Sequence, residues 1–122
     1  MLNSKKIPDA ELEIMMVIWD ADKAVNSDYI MKELQKTWTK PTLLNLLNRL
    51  YERGFVDFYK EGKFKMYSAK VARDDYIKKE SGNFLKKMHR NSVTSLIASL
   101  YDGGNISAQD LEELEKFIKE AK

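Results

Sequence analysis

The sequence has no cysteine, one histidine, two prolines and five glycines among 122 residues. Without a thiol, disulfides, thiolate metal sites and cysteine nucleophiles are all excluded. His89, in KKMHRN, has no second imidazole with which to share a metal ion or a proton relay, and reads as a partly exposed helical residue. No GxSxG, P-loop or GxGxxG string occurs. The expectation is therefore no catalytic residue, no metal, no cofactor and no enzyme. No run approaches the roughly 20 apolar residues that span a bilayer, and the polar start MLNSKK lacks the apolar core of a signal peptide. Both point to a cytoplasmic chain with no membrane insertion.

What is present describes a folded chain: 43% hydrophobic and 33% charged residues, with a net charge of +2. The charge is unevenly spread. Residues 1–31 carry three basic and six acidic side chains, residues 32–70 nine basic and four acidic, and residues 72–122 nine of each. A positive middle segment in a nearly neutral chain is a local field that attracts phosphate.

Pro8 with Asp9, Glu11 and Glu13 reads as a helix start, since proline suits the first turn and carboxylates there oppose the helix dipole favourably. Leu12, Met15, Met16 and Trp19 follow at i, i+3, i+4 and i+7, the spacing of one buried stripe. Asn26 or Ser27 can cap a second helix, with Ile30, Met31 and Leu34 inward and an end near Thr37. Thr39 or Lys40 caps a third, TKPTLLNLLNRLYERG, in which Leu43, Leu46, Leu47 and Leu50 form a second such stripe and Gly54 terminates. The opposite face of that helix collects Thr42, Asn45, Asn48, Arg49 and Glu52, with Leu44 and Tyr51 at the border.

After Gly54 the period changes from 3.6 to 2. FVDFYK, the turn signal EG and KFKMYSA read as a two-stranded hairpin over 55–68, with Lys60, Lys63 and Lys65 around its tip. Helical spacing returns from Arg73, interrupted by Ser81-Gly82, and is carried on by Val93, Leu96, Ile97 and Leu100. Ser107 with Asp110 resembles a capping box that opens a last helix bearing Leu111, Leu114 and Ile118. These thin apolar stripes bury one another poorly in isolation, so pairing with a second copy is expected through Phe84, Met88, Val93, Leu96, Ile97, Leu100, Leu111, Leu114 and Ile118.

The fold class expected is mainly α with a small β hairpin: a winged helix-turn-helix over 1–71, followed by a helical dimerisation region over 72–122. In that geometry the third helix enters the major groove and the hairpin touches the adjacent backbone. The residues expected to meet double-stranded DNA are Thr39, Lys40, Thr42, Asn45 and Arg49, with Lys60, Lys63 and Lys65 on phosphate. Arg49 could instead pair with Glu52 or Glu13. A different use of the same shape is a protein interaction module, anchored by the hairpin aromatics and blind to DNA sequence.

DAELEIMMVIW at 9–19, TLLNLLNRLYERGFVDFYKEGKFKMYSA at 42–69 and the helical tail resemble the penicillinase and methicillin-resistance repressors, the BlaI/MecI/CopY family, over essentially the whole chain. The resemblance implies a homodimeric repressor that binds a pseudo-palindromic operator and blocks transcription of resistance or transport genes, with a membrane sensor-protease system acting upstream. It places Thr42, Asn45 and Arg49 at positions that the family uses for DNA. Three departures accompany it. Thr39-Lys40-Pro41-Thr42 shifts the family's proline and lysine by one place, and Leu44 stands where Arg or Gln is common. Ser99-Leu100 occupies the place of an Asn-Phe bond that is cut in some members. The copper-responsive members' cysteine hook is absent.

Overall fold

The computed structural model describes residues 6–122; the first five residues of the polar start lie outside it. The chain orders as α1 (Asp9–Ala21), α2 (Ser27–Leu34), α3 (Lys40–Glu52), β1 (Val56–Glu61), β2 (Phe64–Ala69), α4 (Arg73–His89), α5 (Val93–Asp102) and α6 (Ala108–Ala121). It divides into two compact units, residues 1–80 and 81–122, and the division falls inside α4.

In the first unit, local chemistry sets each helix boundary. Asn26 caps α2 by accepting the Tyr29 N–H at 2.9 Å, and Gln35, left-handed at φ 52°, ends it before Thr37. Thr39 caps α3 by accepting the Thr42 N–H at 3.4 Å, leaving Pro41 in the first turn, where its missing N–H costs nothing. The other end of α3 is a Schellman turn. Gly54, at φ 84°, donates to Tyr51 O at 3.1 Å, and Phe55 donates to Leu50 O at 2.9 Å. Phe55 and Leu50 are both fully buried, so the turn also delivers the apolar contact that such a cap favours.

The hairpin pairs Val56 with Ala69 through Glu61 with Phe64, leaving Gly62-Lys63 as a two-residue loop. Gly62 takes φ 62° at the first loop position, the place where a type II′ turn demands glycine. Val25, just ahead of α2, adds one rung: it donates to Tyr67 O at 2.9 Å and accepts from Tyr67 N–H at 2.7 Å. This bridge ties the hairpin to the base of the helix-turn-helix.

The core of this unit is Ile14, Met15, Ile18, Ile30, Leu43, Leu47, Leu50, Phe55 and Val56, all essentially unexposed. Each such aliphatic or aromatic side chain contributes roughly 1.5–3 kcal/mol by leaving water. The inward face of α1 differs from the expected one. Of Leu12, Met15, Met16 and Trp19 only Met15 is fully buried; the buried stripe is Glu11, Ile14, Met15 and Ile18. Residues 14–19 are apolar on every side, so their spacing could not fix the helix rotation, and a carboxylate at position 11 made the true face look solvated. Trp19 is half-buried and donates its Nε1–H to Val71 O at 2.8 Å. The first two turns of α4 belong to this unit, with Tyr76 buried.

α4 runs without a break through Ser81-Gly82, where the sequence suggested an interruption. Nothing lies within 4 Å of the place a Gly82 Cβ would occupy, so glycine there costs helix propensity but answers no packing demand. In the second unit Ser92 caps α5 and a complete capping box between Ser107 and Asp110 opens α6. No residue from 81 to 122 is buried in the single chain.

Candidate nucleic-acid interface

α3 is the element on which the site depends. Leu43, Leu47 and Leu50 are completely buried and Leu46 partly so, which turns Thr42, Asn45, Asn48 and Arg49 to the surface. The seating of the leucines thus aims the polar face. Around the helix start the expected contacts are already engaged locally. The Thr39 and Thr42 hydroxyls lie 3.0 Å apart, and Lys40 Nζ sits 2.9 Å from Asp28 Oδ1 in an exposed pair. Such a pair is worth at most about 1 kcal/mol, so a phosphate can replace the aspartate at little cost. Asn45 forms no side-chain hydrogen bond among the described contacts, and its amide faces solvent.

Arg49 pairs with neither Glu52 nor Glu13. Its Nη2 lies 3.7 Å from Oε2 of Glu11, and Glu13 instead meets Lys36 at 2.8 Å. Neighbouring positions on α1 differ by 100° in direction, and the face of α1 that meets α3 is the one carrying Glu11. The same rotation that displaced the buried stripe explains this correction.

On the hairpin, Lys60 and Lys65 are direct cross-strand partners, an arrangement of like charges that disfavours the sheet. Lys65 Nζ lies 4.6 Å from the Phe58 ring centroid and Lys63 Nζ 5.8 Å from that of Phe64. Among the described residues none of the three lysines is in an ion pair with a carboxylate. Their positive charge is uncompensated.

Between α3 and the hairpin lies an open groove of about 640 Å³. Leu44, Asn48 and Tyr51 form one wall, Phe58, Phe64 and Lys65 the other, with Lys40 and Asp28 also at its edge. Buried Tyr67 lines it as well, and desolvation pushes its phenol above the ordinary tyrosine range, keeping it neutral. Asn48, Leu44, Tyr51 and Phe64 were not among the expected contacts. The signal was available: positions 44, 48 and 51 repeat at i, i+4 and i+7, a second stripe beside the leucine stripe. Its partly exposed Leu and Tyr made it look like a border.

The expected pairing residues lie on α4 (Phe84, Met88), α5 (Val93, Leu96, Ile97, Leu100) and α6 (Leu111, Leu114, Ile118). Leu96, Ile97 and Leu114 are half-buried and the others exposed. Tyr101 and Phe117 belong with them as exposed large hydrophobic groups that the helical stripes did not include. Ser99-Leu100 is inside α5, with both residues exposed.

The sequence profile described as Penicillinase repressor matches residues 7–120. The penicillinase repressor of Bacillus licheniformis is 33% identical over 123 residues, covering 97% of this chain and 95% of that protein. The chain belongs to the penicillinase repressor family. The methicillin resistance regulatory protein MecI of Staphylococcus aureus (strain N315) is 32% identical over 115 residues, 93% of each chain. The solution structure of monomeric Bacillus licheniformis BlaI in complex with the blaP half-operator matches with a TM-score of 0.50 and 36% identity, covering 59% of this chain and 89% of that one. The family is one of repressors rather than enzymes, and three helices followed by a hairpin give this member its winged helix. No helix of the described residues is long and apolar enough to cross a membrane.

Proposed function

We propose that this repressor is a cytoplasmic homodimer that binds a pseudo-palindromic operator in double-stranded DNA and blocks transcription of resistance-type genes. Residues 1–71 bind DNA and residues 72–122 hold the two copies together. The first two turns of α3 enter the major groove. Thr42 and Asn45 meet base edges, Thr39, Lys40 and Arg49 the backbone, and Lys60, Lys63 and Lys65 the phosphates beside the wing. The observation that carries this reading is the polar face of α3, aimed outward by three fully buried leucines and flanked by hairpin lysines that make no ion pair with a carboxylate among the described residues.

Pairing is supported by the second unit, in which no residue is buried and eight large hydrophobic side chains are exposed: Phe84, Met88, Val93, Leu100, Tyr101, Leu111, Phe117 and Ile118. A helical region without a core of its own needs a partner, and a second copy presents the same stripes. Two reading heads would then sit about one DNA turn, roughly 34–36 Å, apart. Family membership supports resistance-type genes as the target, and a membrane sensor-protease system upstream is the expectation that the sequence resemblance adds.

The test is a salt titration of binding to a duplex that carries two copies of the blaP half-operator. Log affinity should fall linearly with log salt, by about 0.9 for each phosphate neutralised. A flat line means that no phosphate is neutralised, and the reading fails.

A further inference from the structure

Glu11 is the one buried charged residue among the described residues, 1% exposed, and it shares the inward stripe of α1 with Ile14, Met15 and Ile18. Its two oxygens face two guanidinium groups of one α3 face: Oε2 lies 3.7 Å from Arg49 Nη2 and Oε1 3.7 Å from Arg53 Nη1. Neither distance is that of a hydrogen bond, and Oε1 has no hydrogen-bond partner among the described residues. One carboxylate removed from water needs one counter-ion, because left alone it is strongly destabilising. It does not need two. The cluster carries a surplus positive charge, and the attachments are loose.

The two arginines are not equivalent. The Arg53 side chain is 32% exposed and caps the C-terminal end of α3, where a cation also favours the helix dipole. The Arg49 side chain is 53% exposed and lies one turn beyond Asn45 on the outward face. We propose that Arg53 is the standing counter-ion of Glu11, while Glu11 holds Arg49 against α1 in the free protein and yields it to a DNA phosphate on binding. Glu11 is then a positioning residue: it sets how much of the α3 charge is available to the backbone. This inference rests on the DNA-binding reading above.

The exchange is favourable on simple grounds. A phosphate offers Arg49 the bidentate geometry that Glu11, at 3.7 Å, does not. Arg53 remains to neutralise the buried carboxylate, so no charge is stranded.

The experiment measures binding of the duplex with two blaP half-operators over a salt series, for wild type, E11Q, R49Q and E11Q/R49Q. R49Q should weaken binding and make the salt slope shallower by about 0.9. E11Q should tighten binding about 2- to 5-fold, the size expected of a partly exposed ion pair. That gain should vanish when Arg49 is already Gln. If E11Q changes affinity equally with and without Arg49, its role is structural and the proposal is overturned. Should E11Q not fold, the wild type answers alone: on adding DNA the NMR signal of Arg49 Nε should move and that of Arg53 Nε should stay. Movement of both, or of neither, overturns the proposal. A wild type with no salt-dependent binding would overturn the DNA-binding reading and this inference with it, whereas normal wild-type binding with no E11Q effect removes only the inference.

Discussion

The backbone N–H of Ile7 donates to the hydroxyl oxygen of Tyr76 at 2.8 Å, joining the segment before α1 to the first turns of α4 across 69 positions of sequence. Both residues are buried, so the bond has no water to replace it. Desolvation raises the Tyr76 phenol above the ordinary tyrosine range; the Ile7 N–H opposes this and Glu80 adds to it. Tyr76→Phe keeps the ring but strands a buried donor, and should cost about 1–3 kcal/mol, read as a lower urea midpoint with an unchanged slope. The sign with pH follows from the raised value. The stabilisation is complete below the ordinary tyrosine value near 10 and declines as pH rises through the raised one. Tyr76→Phe should therefore soften the alkaline loss of stability as well.

At the start of α6, Asp110 should show the opposite dependence. Its carboxylate accepts the Ser107 N–H at 2.9 Å, and this bond and the Ser107 hydroxyl pull its pKa below the usual carboxylate value. A depressed value means that the box favours the helix above the ordinary carboxylate pKa and releases it as pH falls through the lowered one. Amide protection at Ser107, Asp110 and Leu111, the N–H groups bonded in this box, should accordingly weaken in acid, and Asp110→Asn should remove most of that pH dependence. Protection that falls identically in both proteins would exclude the carboxylate as the cause.

On DNA, Asn45 and Lys65 should fail in different ways. Asn45→Ala should relax base preference by about 1–3 kcal/mol at one position if its amide makes a bidentate contact, with the salt slope unchanged. Lys65→Gln should weaken binding to all sequences alike and make the slope shallower by about 0.9. Competition titrations with mutated and wild-type duplexes separate the two. A sequence-specific loss from Lys65→Gln, or a uniform one from Asn45→Ala, would reverse their assigned roles.

Helix identity, helix order, one of the two cap candidates at each of α2 (Asn26, not Ser27) and α3 (Thr39, not Lys40), the Gly54 terminator and the hairpin were legible because each rests on a local rule: spacing, a capping oxygen, a left-handed glycine. The rotation of α1 was not, because Met15, Met16, Val17, Ile18 and Trp19 are apolar all round and only the packed neighbours select a face. That single ambiguity hid Glu11, and with it the true partner of Arg49. The outward α3 positions could be read directly, since Leu43, Leu47 and Leu50 fix the opposite face. The groove could not, because it needs the hairpin to fold beside Leu44, Asn48 and Tyr51, a contact across the turn that no periodicity records. Ser81-Gly82 misled in the other direction, as a propensity penalty of about 1 kcal/mol is too small by itself to end a helix of 17 residues.

The second unit supplies the remaining prediction. Phe117 and Ile118 are adjacent on α6 and 66% and 45% exposed, yet Ile118 continues the apolar stripe of Leu111 and Leu114 whereas Phe117 lies 100° from it. If two copies meet over the α6 stripe, Ile118→Asp places a charge in the seam and should shift sedimentation towards monomer, while Phe117→Asp should shift it less. The uneven response matters, because a general loss of helix would affect both variants alike. Operator affinity should fall with Ile118→Asp at low protein concentration and recover as concentration rises, since each half-site keeps its own reading helix. A variant that stays dimeric would move the seam away from this stripe, towards Val93, Leu96 and Leu100 on α5.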